Sequence, residues 1–210
     1  MNMKKLFSFF AALLMAGTAF AQTAEEIVSR METEMDQHES EGMVMTVSIK
    51  IPILGTMNSK TYTLGDKLCM EATMMGHQVI TWSDGTTKWT YTSKDNEIEI
   101  ENEDPKDPTS GDGDAEMFDN VTEGYDVSIK KETAEAWYIQ CKKSKTNKEK
   151  DDPKNMDLVI AKGSYLPISL SATLKGVTMT MSDISFGITE DQVTFNPEKY
   201  PDAKIVDKRK

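Results

Sequence analysis

Two histidines, His38 and His77, are all the imidazole chemistry this 210-residue chain holds, and neither lies in a motif. No G-x-S-x-G elbow, H-E-x-x-H pair, phosphate-cradling P-loop or G-x-G-x-x-G run occurs. Carboxylates are abundant but crowd into loop-like stretches, so their spacing supports no paired-acid hydrolase site. The alternation of Asp112, Asp114 and Glu116 has the look of calcium ligands, yet the D-x-[DN]-x-[DN]-G order of a calcium loop is absent. A solvated acidic loop is the expectation there. Cys69 and Cys141 stand at a spacing unrelated to metal or redox motifs. They are read as two buried thiols acting as small hydrophobes, with one disulfide as the alternative in an oxidising compartment. No catalytic residue, metal or cofactor is expected, and the chain is not read as an enzyme.

Binding is the better lead. The chain has 15 methionines, and flexible thioethers suit surfaces that accept variable apolar partners. The Met43/Met45 and Met179/Met181 pairs raise copper(I), which soft ligands select. Each pair also points to one face of a strand, where core packing accounts for it more cheaply. Trp82, Trp89 and Tyr91 bracket an Asp84-Gly85 turn, with Trp89 and Tyr91 on one face. Apolar residues repeat at every second position in Val47, Ile49 and Ile51, and again in Leu170 and Leu174 and in Met179 and Met181. These ten side chains either pack a core or line a cavity that a curled sheet cannot fill alone. They are the candidate lining residues, and the period does not say which sheet face points inward.

The elements that must position them follow from periodicity. Thr23-Ala24-Glu25-Glu26 is a capping box, and Ile27, Val28, Met31 and Met35 then recur at helical spacing, with Gly42 as a stop. After Gly42 the period becomes two. Strands are expected over residues 43–51, 58–64, 67–74, 77–82, 88–92 and 97–101, with glycine and aspartate turns between them. Residues 101–119 break the rhythm with eight acids against one lysine, a loop with at most a short helical turn at 115–119. Strands resume at 125–131, 136–144, 156–161, 167–175 and 177–187. A last short strand at 193–195 leads into an irregular tail. The five lysines of residues 142–150 form a hairpin loop. The fold class is α+β, mainly antiparallel β: one amphipathic helix followed by a meander.

Lys4 and Lys5, the apolar run of residues 6–15 and Ala19-Phe20-Ala21 compose a signal peptide cut after Ala21. That run is too short to span a bilayer, which needs roughly 20 apolar residues. Residues 22–210 then form a single exported domain. Net charge is -11, and it grows more negative once Lys4 and Lys5 are removed. Such a surface argues against nucleic acid or anionic lipid headgroups as direct partners, because phosphate binding needs clustered Lys and Arg.

At this point the chain resembles a known family, the periplasmic outer-membrane lipoprotein carriers (LolA-like proteins). The likeness rests on Gly65-Asp66-Lys67, the run from Thr81-Trp82-Ser83-Asp84-Gly85 to Lys88-Trp89-Thr90-Tyr91, and Gly163-Ser164-Tyr165-Leu166-Pro167-Ile168. It continues through Phe195-Asn196-Pro197-Glu198-Lys199-Tyr200-Pro201-Asp202-Ala203 and Ile205-Val206-Asp207. The resemblance implies a curved, unclosed β-barrel with a helical or loop lid over a hydrophobic cavity. It also implies a monomeric periplasmic carrier that takes lipoprotein acyl chains, or another lipid, from an inner-membrane lipoprotein-releasing transporter to an outer-membrane acceptor. Family carriers latch the lid with a strand arginine, whereas the arginines here are Arg30 on the helix and Arg209 in the tail. The same fold also serves lipid-sensing or protein-binding regulatory modules of the cell envelope, which is the alternative reading. Intact-mass analysis of the exported protein should give an N-terminus at Gln22; retention of residues 6–15 in a membrane fraction would contradict it.

Overall fold

The computed structural model describes residues 22–103, 118, 120–150 and 152–209. The expected signal peptide and, apart from Phe118, the expected helical turn at 115–119 lie outside the described residues. Helix α1 (Ala24–His38) starts on its capping box: Glu26 N–H donates to Thr23 Oγ1 at 3.2 Å, and Thr23 N–H to Glu26 Oε2 at 2.9 Å. It buries Ala24, Ile27, Val28, Met31 and Met35 and ends through a short 3-10 turn, Glu39–Glu41. Gly42 then turns the chain at φ +65, and a Cβ there would meet Ile188 Cγ1 at 2.6 Å and Thr63 O at 2.7 Å.

The strands are β1 (Met43–Ile51), β2 (Gly55–Leu64), β3 (Lys67–Met74), β4 (His77–Ser83), β5 (Thr87–Thr92) and β6 (Glu97–Asn102). A second run has β7 (Tyr125–Glu132), β8 (Ala136–Lys143), β9 (Asn155–Ala161), β10 (Pro167–Leu174) and β11 (Val177–Phe186). Short helix α2 (Glu190–Val193) and strand β12 (Lys204–Asp207) close the chain. Among the described residues all twelve strands form one sheet, in the order β12-β6-β5-β4-β3-β2-β1-β11-β10-β9-β8-β7. Two meanders are thus joined where β1 pairs with β11. The sheet does not close, and β7 and β12 are its edges.

Two expectations for the tail are corrected. Val193 ends helix α2 instead of starting a strand. The supposedly irregular tail contains β12, which pairs parallel to β6. Parallel pairing between distant segments leaves no local signature; here it is assisted by Lys204 to Glu97 at 2.6 Å and Lys208 to Glu99 at 2.5 Å. The Asp84-Gly85 hairpin is as expected, with the Asp84 carboxylate accepting from Thr86 N–H at 3.0 Å and Thr87 N–H at 2.8 Å.

One contiguous core holds the α1 stripe together with residues of β1, β8, β9, β10 and β11 and with Phe118. Strands β1 to β7 across that part of the sheet would span about 24 Å if flat, whereas a helix is about 10–12 Å wide. The sheet therefore curves around α1, and the α1 side is its concave face. Both edges discourage further pairing: β7 carries Asp126, Lys130, Lys131 and Glu132 with a bulge, and β12 is four residues long. Replacing Gly42 by Ala should destabilise the fold by about 1–3 kcal/mol through the backbone clash and the left-handed φ. Urea unfolding checks it; an unchanged midpoint would contradict the account of this turn.

Candidate functional site

Residues directly opposite in a ladder share a face, so the register sorts every candidate. Val47 stands opposite Met181, and Ile49 opposite Met179. On the other side of β1, Ile49 faces Met57 and Ile51 faces Gly55. Leu170 is paired with Met181 and Leu174 with Val177. Seven candidates, Val47, Ile49, Ile51, Leu170, Leu174, Met179 and Met181, therefore share the concave face.

Trp82, Trp89 and Tyr91 do not join them. Register carries Val47 through Ser59 and Ala72 to Val79. Trp82, an odd number of positions along β4 from Val79, faces the other way and pairs with Cys69 and Trp89. These three aromatics lie on the convex face in a second core with Cys69, Ile80 and Tyr62, roofed by Phe195 and Tyr200. Ring centroids are 5.4 Å apart for Trp82 and Phe195, 5.6 Å for Trp89 and Phe195, and 4.6 Å for Tyr91 and Tyr200. The ten candidates thus form two surfaces, and the aromatic one is occupied by the protein's own tail.

The concave face is itself divided along the strands. Toward the end where Met43 and Phe186 lie, α1 fills it: Met43, Met45, Leu170 and Met181 are buried with Trp137, Ile139, Leu158 and Ile160. The gap beside the end of α1, lined by Met35, His38, Met43, Thr63 and Phe186 among others, is about 10 Å³. No acyl chain fits there. Tyr165 pins the helix: Arg30 stacks 4.0 Å over its ring, and its hydroxyl donates to Gln22 Oε1 at 3.0 Å. The cation lies on the helix and the ring on the β9–β10 turn.

Beyond α1 no described residue covers the same face. Ile49, Ile51, Leu174 and Val177 are half-buried, and Met57 and Met179 are 42% and 39% exposed. None of these six belongs to either core. They compose an apolar strip along the upper halves of β1, β2, β10 and β11. Sequence reasoning missed Met57 as a strip member; its place opposite Ile49 was the signal available.

The remaining candidates for chemistry are structural. Met43, Met45 and Met181 are core residues. His38 stacks on Phe186 at 4.5 Å and meets Glu41 Oε1 through Nδ1 at 2.9 Å. His77 opens β4, exposed. Among the described residues, no group of three or more His, Cys, Asp or Glu could hold a metal ion, and no helix is long and apolar enough to cross a membrane. Cys69 and Cys141 are free and buried in different cores on opposite faces. Burial, aided by Glu71, pushes the Cys69 thiol up to about 12; burial, aided by Asp157, pushes Cys141 up to about 11.

No family model matches the chain, and no curated protein does. Among solved structures it is similar to an uncharacterized conserved protein from Thermus thermophilus, 18% identical over 88% of this chain and 99% of that one, with a TM-score of 0.49. It is similar to the Mycobacterium tuberculosis lipoprotein LppX, 10% identical over 79% and 97%, with a TM-score of 0.48. It is also similar to a LolA superfamily protein from Nitrosomonas europaea, 11% identical over 85% and 100%, with a TM-score of 0.35. The architecture itself rests on this chain's own register and packing.

Thiolate is the reactive form, so both cysteines should resist iodoacetamide in the native protein at pH 8 and react fully once it is unfolded without reductant. Rapid native labelling, or no labelling after unfolding, would contradict two shielded free thiols.

Proposed function

We propose that this protein binds acyl chains on the uncovered upper half of its concave face and carries them without transforming them. The observation that supports this reading is the strip of Ile49, Ile51, Met57, Leu174, Val177 and Met179, which no described residue covers, beside a core that α1 otherwise fills. Burying an acyl chain is worth about 0.8 kcal/mol per methylene, so the site needs no special chemistry. Ten buried methylenes would gain about 8 kcal/mol, comparable to the association cost of about 4–15 kcal/mol. The two nearly cancel, so any net binding is weak and reversible, as a carrier requires.

The cargo in this reading is lipoprotein acyl chains, and the compartment is the periplasm, reached by export and loss of residues 1–21. A releasing transporter in the inner membrane and an acceptor at the outer membrane would be the handover partners. The short and charged sheet edges suit a monomer.

Titration of a fluorescent acyl probe tests the site. Ile49→Glu should weaken binding at least about tenfold, because a charge on the strip loses water when a chain covers it. Ser48→Glu, one residue along but on the convex face, should bind as the wild type does. Circular dichroism verifies that both variants fold. Equal affinity for Ile49→Glu would exclude the strip, and no saturable binding by the wild type would overturn the carrier reading.

A further inference from the structure

At the upper end of the strip three hairpin turns stand side by side. The β3–β4, β1–β2 and β10–β11 hairpins occupy consecutive places in the sheet order β4-β3-β2-β1-β11-β10. The last two touch, since a Cβ on Gly176 would lie 3.8 Å from Pro52 Cγ. The β1–β2 tip presents Ile53 at 105% and Leu54 at 82% exposure, and the β3–β4 tip presents Met75 at 101%. Nothing else in the fold leaves large apolar side chains so fully in solvent among the described residues.

Folding does not ask for these residues. Ile53 sits at φ +72 and Met75 at φ +51, a backbone region that suits Gly, Asn or Asp and disfavours a β-branched side chain. Polar turn residues would serve the hairpins better on both counts. An exposed apolar side chain held in an unfavourable conformation points to a role outside the fold. Charge agrees: residues 50–57, 74–78 and 174–178 contain no Asp or Glu and two lysines, Lys50 and Lys175, in a chain of net charge -11. Self-repulsion between the acidic remainder and an anionic surface would turn this end toward it.

We infer that the β1–β2 and β3–β4 tips insert into the headgroup layer of a lipid bilayer. Ile53 and Leu54 share the β1–β2 tip and Met75 tops the β3–β4 tip, with Leu54 and Met75 on the rim of an open groove of about 710 Å³; apolar tips that protrude in this way enter a fluid layer without the shape complementarity a protein partner needs. The inference rests on the proposed acyl-binding strip and deepens it. Ile51, Met57 and Val177 flank the same turns, so insertion brings the mouth of the strip to the acyl region. A chain can then leave or enter the bilayer without crossing water.

Flotation of the protein with vesicles of phosphatidylcholine and phosphatidylglycerol tests it. The wild type should float, and the triple variant Ile53→Ser, Leu54→Ser, Met75→Ser should lose at least about tenfold in partitioning. The variant should still bind the soluble acyl probe, because the strip is untouched. As a second measurement, Ile53→Trp should give an indole emission that shifts to the blue on adding vesicles. No flotation of a wild type that binds the probe would overturn membrane docking and leave the carrier reading standing. Flotation unaffected by the triple variant, or an unshifted Ile53→Trp emission, would overturn docking through these tips. Loss of probe binding by the wild type would instead strike the carrier reading.

Discussion

Burial of the α1 stripe in the concave face is the interaction on which the rest depends. Ile27, Val28, Met31 and Met35 are almost wholly removed from solvent, each worth about 1.5–3 kcal/mol of apolar burial. Their partners come from β1 near the start of the chain and from β8–β11 far along it. The helix thereby sets the curvature of the sheet and holds the two meanders together at the β1–β11 seam. It also determines how much concave surface stays open, because the stripe covers only the end of the strands nearest Gly42.

The apolar side of the sheet changes from one half to the other. From β1 through β11 to β8 the concave face is apolar. From β2 to β4 the same face carries the buried hydroxyls Thr61, Thr63, Thr81 and Ser83, with Ser83 Oγ donating to Glu103 Oε2 at 2.6 Å. Farther out, on β5 and β6, it carries Lys88, Thr90, Glu99 and Glu101, paired across the ladder. The apolar side there is convex and is roofed by Phe195 and Tyr200. Among the described residues the open apolar surface is consequently a track along β1, β11 and β10 instead of a bowl, and the tail covers the convex apolar side.

Most elements were legible because their signals are local. The Thr23–Glu26 capping box, the period-two run of β1, the Asp84-Gly85 hairpin and the lysine loop after β8 all stand where the sequence places them. What escaped depends on distant partners. β12 has two apolar residues and is a strand only through β6. Phe118, fully buried with α1, sits in an acidic stretch whose composition reads as solvated loop. The division of the candidates was illegible for the same reason. Trp89 and Tyr91 share a face with each other by period two, but only the four ladders from β1 to β5 fix that face against Ile49.

Light-driven labelling with a diazirine-bearing acyl chain, followed by peptide mapping, probes the central claim most directly. The account predicts adducts on the strip, at Ile49, Ile51, Met57, Leu174 and Met179, competed away by unlabelled acyl chain. Competable adducts at Trp82, Trp89 or Tyr91, with the strip unlabelled, would contradict it by placing the ligand on the convex face beneath the tail.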